Sequence, residues 1–576
     1  MTFSYRLPTT TALFSTLIGF FFLIGAHFTF PNFGGYGLTL PQNYIAWLFI
    51  GLLIGVGLWH WARGRALRYS PQMLWFWVGT VVLALPLADP RIVDYALGLP
   101  KVIALAGGVL LYTALLQINQ TGHWQKLLQW VLLATVIQML LGLAQYFIFE
   151  PMNLLGYDTI SNRPNGTFQQ VNVMASFVAT GFALSLFLLT QQASTPPSKA
   201  IRLMSLFSTF AAPLLLIVIQ SRTGQLAGIA VILLILPALI QAWPASKAAI
   251  TAHCLVFVLG LSTGLLGLLG SINHGEQTRG LGIYEDPGAR TIIYDESLSL
   301  IQQYPLLGVG YGNFESAWRQ TYADQAASPS ELNQGLHALT HPHNETLLWG
   351  VEGGAVALFG LILLATGYLL TLKALTWRRG LSYLALTAPI LIHTQTEYPL
   401  YHSGLHWMTL IVLIAAADGA LNNIKTLKTP RIILPAVLAL AVPLTTVPFM
   451  ITGLHSLAVI TRLEASKPKD YALLLEVSNP AADLNRFQWH LWELRLKSAL
   501  AKQDPEELTA YLNWSRQLAR SMPRATLYAN QFIAQRALGD FEGAEATLEQ
   551  ARYLFGDMPA LKPFIGLRKD VVIKVN

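Results

Sequence analysis

The chain has 576 residues, 53% of them hydrophobic and only 12% charged, about half the charged share of an ordinary soluble domain. That balance excludes a soluble globular protein and points to a polytopic membrane protein. The formal net charge of +7 sits largely in short loops between apolar runs, so it reads as a topology signal and not as a nucleic-acid patch.

A helix needs roughly 20 apolar residues to cross a bilayer. Runs of that kind recur from Thr11 to about His455, and thirteen spans are expected, centred near Phe20, Ile54, Val81, Val109, Val136, Ala183, Leu215, Leu234, Leu259, Ile362, Ala388, Val412 and Leu440. The first run continues as "LIGAHFTF" without a small-residue cleavage site, which favours a retained span over a signal peptide. The single cysteine, Cys254, lies inside a span and excludes an intramolecular disulfide.

Orientation follows from the basic loops. With the N-terminus cytoplasmic, the inner segments hold Arg6, Arg63, Arg65, Arg68, Lys126, Lys199, Arg202, Lys247, Lys373, Arg378, Arg379, Lys425, Lys428 and Arg431, with Asp418 as the one acid at their border. Odd parity then puts everything after the last span outside. The expected division is a transmembrane domain over residues 1–455, with a large outer loop at 271–345, and an outer helical domain over 456–576.

Four motif-like stretches each precede a span that runs from outside to inside: "NRPNGTFQQVN" from Asn162, "QSRTG" from Gln220, "HPHNE" from His341 and "QTEYPLYHS" from Gln395. All four are therefore expected at helix N-termini, with Asn172, Ser221, Asn344 and Ser403 as N-caps. Such an end carries roughly half a positive charge and unpaired N–H groups, so several together favour an anion. Arg163, Arg222 and Arg290 add planar guanidinium forks suited to phosphate oxygens. Arg163 and Arg222 also depart from the positive-inside pattern. Their bland alternative is a structural arginine snorkelling to headgroups. Beside cations and a helix start, His343 is expected to be biased towards its neutral form, able to accept a hydroxyl proton; capping or packing is the alternative for His341 and His343.

The segments "SRTGQLAG", "GARTIIYDESLSLIQQYPLLGVGYGNF", "HPHNETLLWGVEGG" and "EYPLYHS", in that order, resemble the O-antigen ligase superfamily, specifically its branch of bacterial O-linked oligosaccharyltransferases that glycosylate pilins and other periplasmic proteins. The resemblance implies an all-α, metal-independent membrane glycosyltransferase in the bacterial inner membrane, with no cofactor. Its donor would be a glycan on undecaprenyl diphosphate, and its acceptor a Ser or Thr hydroxyl of a periplasmic protein. By motif, Arg222 and Arg290 match arginines that hold the diphosphate, and His343 matches the essential histidine. Gln170 and Tyr398 match a glutamine and a tyrosine that the protein-modifying branch requires. The doubled Gln169-Gln170 and the two histidines of "HPH" leave two matches open. Arg163, Asn172, His341, Asn344 and Glu397 complete the expected substrate-binding set.

The chemistry asks for the same parts: a base within reach of the hydroxyl, and fixed cations and N–H donors where the leaving diphosphate develops charge. Glu345 and Glu397 are rival bases to His343. The spaced glycines of "GVGYGNF" lack the strand-to-helix context of a phosphate loop and read as a turn. The helix before them, with Ile292, Ile293, Leu298 and Ile301, is amphipathic enough to lie on a membrane surface.

After about Ser456 the chain is helical and polar, and "ALGDFEGAEATLEQA" resembles half of a tetratricopeptide repeat; an ordinary helical cap is the alternative. An outer, repeat-like domain favours a protein acceptor. Transfer to lipid A core, polymerisation, and transport of a lipid-linked or anionic solute are the competing functions, and the absence of an internal repeat weighs against transport.

Overall fold

The computed structural model describes residues 9–30, 37–92, 94–118, 122–191, 197–269, 289–326, 332 and 334–564; the beginning of the outer loop, residues 271–288, lies outside them. The chain is an all-α polytopic membrane protein, 77% helical. In chain order come α1 (Thr10–Leu23), α2 (Pro41–Gly64), α3 (Met73–Ala84), α4 (Tyr95–Gln117), α5 (His123–Phe147), α6 (Val171–Thr190), α7 (Lys199–Val218) and the long α8 (Arg222–Leu268). Two helices, α9 (Arg290–Gln303) and α10 (Phe314–Gln325), belong to the polar segment. Then follow α11 (Glu345–Ala374), α12 (Trp377–Thr394), the single turn α13 (Pro399–His402), α14 (Gly404–Gly419) and α15 (Ile433–Ala465). The tail forms α16 (Leu484–Lys502), α17 (Pro505–Ala519), α18 (Ala525–Ala537) and α19 (Phe541–Phe555).

All thirteen expected span centres fall on these helices. Nine helices among the described residues are long and apolar enough to cross a membrane. One of the nine, α8, accounts for two centres. Its 47 residues break at Ser246 (φ −125°, ψ 18°), just after Pro244, and the backbone doubles back. The packing of its glycines demonstrates this. Gly224, at its start, meets Ala175 and Leu216, whereas Gly267, at its end, meets Val218 and the Tyr146 hydroxyl, so both ends of α8 lie by the C-terminus of α7. The other three centres lie on shorter or more polar helices: Met73–Ala88 and Gly404–Gly419 are short, and α12 begins with Arg378 and Arg379.

The protein divides into two compact units. The first comprises residues 1–78, 104–287 and 363–457. Its two ends differ in chemistry. At one end, β1 (Ala66–Tyr69) pairs antiparallel with β2 (Lys425–Lys428), Ala66 opposite Lys428, and Trp124 packs on Gly419, so the basic loops gather there. At the other end lie the starts of α6, α8 and α14 and the C-termini of α5, α7 and α12. The core between them is apolar, with Phe14, Leu53, Leu115, Leu132, Phe177, Leu215 and Val412 fully enclosed.

The second unit comprises residues 79–103, 288–362 and 458–576. The "GVGYGNF" segment is a turn, as its glycines suggest, and its partner is a gap in α11. Gly354 (φ +57°) interrupts that helix. The opened backbone then pairs with the loop: Val309 N–H with Val351 O at 2.8 Å, Gly310 N–H with Glu352 O at 3.0 Å, and Ala355 N–H with Pro305 O at 2.8 Å. Gly308 (φ +65°) lies so close to the Val351 carbonyl that a Cβ would collide with it. Glu352 secures the turn by accepting from Gly312 N–H at 3.0 Å and pairing with the buried Lys101.

In the same unit the tail helices pack consecutively, α16 on α17, α17 on α18 and α18 on α19. Asp504 caps α17 ahead of Pro505, and Asp540 caps α19 by accepting from Gly543 N–H. Helix α10 joins their core: Ala323 packs with Tyr528, Phe532 and Phe555, and Glu315 pairs with Arg524. On α9, Ile293 and Leu300 are buried while Ile292 and Leu298 remain exposed, and the exposed apolar surface continues through Leu306 and Leu307.

Candidate active site

In the first unit, two amides one heptad apart on α5 hold the "NRPNGTF" loop. Gln145 accepts from the Asn165 and Gly166 N–H groups (3.0 and 2.8 Å) and donates to the Gly166 carbonyl, and Gln138 accepts from Thr167 N–H at 3.1 Å. Both amides are buried, so the loop supplies the polar partners that burial demands. The helix that follows is not capped as expected. Gln170, not Asn172, is the N-cap of α6, its Oε1 accepting from the Asn172 and Val173 N–H groups at 2.5 and 3.2 Å. A glutamine is an uncommon cap because its longer arm must fold back. It does so here because Gln169 turns the backbone through a left-handed residue (φ +57°). Asn172 is thereby freed to make a different link, its Oδ1 accepting from Ser221 Oγ at 2.7 Å and tying the start of α6 to the start of α8.

Ser221 caps α8 as expected, accepting from Gly224 N–H, and Arg222 is the first residue of that helix, half-buried. Arg163 donates from Nε to the Ile219 carbonyl (2.9 Å) and from Nη2 to the Gln220 carbonyl (3.1 Å). Two of its donors thus satisfy the C-terminal end of α7, where a cation is favoured. Thr223 Oγ1 meets Thr396 Oγ1 at 2.8 Å, which brings the segment carrying Glu397 and Tyr398 to the same end of the unit. Tyr398 packs its ring on His402, 4.6 Å between centroids, and Ser403 caps α14 by accepting from His406 N–H. Below this layer Ser176 bridges two histidines that sequence reasoning passed over, His393 at 2.8 Å and His406 at 3.1 Å.

In the second unit, "HPHNE" makes a tight corner into α11. Asn344 caps the helix, its Oδ1 accepting from Leu347 N–H at 3.0 Å. His341 is buried, and its Nδ1 accepts the His343 N–H at 2.8 Å, so the neutral ring carries its proton on Nε2, which lies 3.9 Å from Glu345. His343 is half-exposed and left-handed, φ +56°. Its carbonyl accepts from the Tyr294 hydroxyl at 3.3 Å. Tyr294 was not among the expected site residues. Its signal was its spacing, four residues after Arg290 and therefore on the same face of α9. Arg290 opens α9 and is half-buried.

Backbone conformation singles out the same stretches. Eight non-glycine residues among the described ones have positive φ, and four of them, Asn162, Gln169, Gln220 and His343, fall within three of the four motifs. Such residues cost of order 1 to 3 kcal/mol each and concentrate where function fixes the backbone.

Residues 207–362 match the family model described as O-antigen ligase, and residues 381–562 match the one described as virulence factor membrane-bound polymerase, C-terminal. The first match spans α8, α9 and the "HPHNE" corner; the second runs from α12 through the tail. No curated protein matches this sequence.

Proposed function

We propose that this protein, which carries an O-antigen ligase domain and belongs by that domain among membrane proteins that ligate or polymerise glycans, transfers a preassembled glycan from a lipid diphosphate to Ser or Thr hydroxyls of an acceptor protein. The observation that carries the reading is the gathering of Arg222, Gln170, Asn172 and Tyr398, with the beginnings of α6, α8 and α14, at the end of the first unit opposite its basic loops. Helix beginnings present N–H groups and positive potential, the surroundings in which a diphosphate is stable as a leaving group.

In the reaction the acceptor oxygen attacks the anomeric carbon, forming the new C–O bond as the bond to the diphosphate breaks. The hydroxyl proton passes to the His343 imidazole, and the departing diphosphate takes the electron pair and the negative charge. Arg222 and Arg290 are the cations assigned to that charge. His343 suits the role of base better than His341, because the latter's Nδ1 is taken by a backbone N–H and its ring is buried. One displacement without an enzyme nucleophile inverts the anomeric configuration. The basic end faces the cytoplasm in this reading, and the motif end faces the periplasm.

The match to a polymerase C-terminal model supports a second reading, in which the acceptor is a sugar hydroxyl of another glycan. Co-expression with a lipid-linked glycan pathway and a pilin separates the two by mass spectrometry. Glycan on a pilin Ser or Thr is expected. Sugar found only on lipopolysaccharide or in a lengthened polymer excludes the protein acceptor.

A further inference from the structure

Within the second unit, a cavity of about 660 Å³ opens between α10 with the end of α9 on one side and α17, α18 and α19 on the other. Its volume is in the range of ligand sites. Nothing in the transfer chemistry uses it, yet its wall is built for a polar guest.

Two wall residues are buried with hydrogen-bonding capacity unspent. Gln531 of α18 is 3% exposed and its Nε2 has no acceptor among the described residues; Asn313, 7% exposed, donates from Nδ2 to the Arg91 and Val309 carbonyls at 3.0 Å while its Oδ1 lacks a donor among them. Both atoms are fully enclosed, with less than 1 Å² of each exposed, so selection of a guest falls to the charged side groups of the wall.

Charge narrows the guest further. Arg516 in the last turn of α17 and Arg520, the residue that ends it, stand one turn apart, both exposed, and neither forms an ion pair with a described residue. Like charges at that spacing repel mildly. Arg319 is buried in the opposite wall, its guanidinium donating to the Leu336 carbonyl and lying 5.5 Å from the Phe555 ring, with no carboxylate paired to it among the described residues. Asp324, the acid in the wall, accepts from Gln320 at 2.9 Å and from Tyr553. The lining is therefore net positive and equipped with forks for carboxylates.

A polypeptide with acidic side groups meets that charge, its carboxylates facing the arginines. A glycan is a poorer fit, because sugars favour open aromatic faces. Tyr528, one of two wall aromatics, is 6% exposed and packed on Phe555, leaving only Tyr304 at the rim with a free face. We propose that this cavity docks an extended, acidic stretch of the acceptor polypeptide, holding the substrate protein at a site separate from the reacting hydroxyl. The inference rests on the protein-acceptor reading above.

The test uses the full-length protein in lipid nanodiscs and random dodecapeptides displayed on phage, with empty nanodiscs as control. Recovered peptides are expected to be rich in Asp and Glu. A synthetic copy of one should bind at least about tenfold more weakly to the Arg516→Glu/Arg520→Glu double variant, and equally well to His343→Asn. The dock is refuted by no enrichment over empty discs, by binding that the double variant leaves unmoved, or by displacement of the peptide by oligogalacturonate at equal concentration. Transfer assays on the same variants keep the two proposals apart. If the native protein glycosylates protein and the double variant does so at the native rate, the dock fails and the protein-acceptor reading stands. If the native protein modifies only lipid, that reading fails, whatever the peptides do.

Discussion

At His343 the backbone adopts a left-handed conformation that costs a residue with a Cβ about 1 to 2 kcal/mol, and two hydrogen bonds hold it there, one to His341 Nδ1 and one from Tyr294. Asparagine tolerates this region better than alanine, so His343→Asn removes the imidazole without disturbing the corner. That variant is expected to reach the membrane at native abundance, to keep the native Tm in detergent, and to lose glycan transfer by two orders of magnitude or more, on the order of a general base's contribution. Full activity in the asparagine variant would remove His343 as the base. His341→Ala acts differently. It strips the acceptor from a part-buried N–H, and a loss of about 1 to 3 kcal/mol of stability together with activity is expected, read as a lower Tm.

Among the elements, α9 carries an unusual buried acid. Glu296 is 5% exposed with Oε2 unpaired among the described residues, and burial, helped by the neighbouring Asp295 charge, pushes its carboxyl up to about 7 from 4.5. The folded protein thus favours the protonated form, while an unfolded polypeptide ionises near 4.5. Stability contributed by this group is intact below about pH 4.5, falls as pH rises, and is lost above about pH 7. Glu296→Gln should therefore raise the Tm by a few degrees at about pH 8 and change it little near pH 4.5, as followed by hydrogen exchange across α9. An equal shift at both pH values would mean that the carboxyl ionises normally. The fold-back of α8 is a second element-scale feature. Pro237 and Pro244 both lie in the same run, yet the helix continues past the first and breaks at Ser246, two residues after the second, where it turns back along α7.

For the whole molecule, the separation of the first unit's basic end from its motif end makes sidedness measurable. In a Cys254→Ser background, a cysteine replacing Ser161 is expected to react with a membrane-impermeant maleimide in intact spheroplasts. One replacing Arg65 should react only after permeabilisation. Labelling of both from one side would overturn the orientation and with it the periplasmic site. Residues 162–172, 220–224 and 395–403 are remote in sequence but meet through short polar links: Asn172 to Ser221, and Thr223 to Thr396. In the second unit, α10 and the tail helices share a core through Ala323 and Phe555, so loop and tail are one structural body.

Much of this was legible in the amino-acid sequence before any coordinates. Apolar run length determined where helices form, since the bilayer demands about 20 such residues whatever the neighbours are; loop composition collected the basic residues at one end; and short side groups at Ser221, Asn344 and Ser403 marked three helix starts because capping is local chemistry. Tertiary structure decided the rest. Gln170 displaced Asn172 as the cap of α6 because Asn172 is drawn to Ser221, forty-nine residues away. Two of Arg163's donors turned to the end of α7 because its carbonyls lie there. The gap in α11 that receives the glycine turn, the Tyr294 contact to His343 and the cavity under α17 arise from segments brought together by folding. Hydrogen bonds and charge pairs between distant residues depend on angstrom-scale placement, which local composition does not encode.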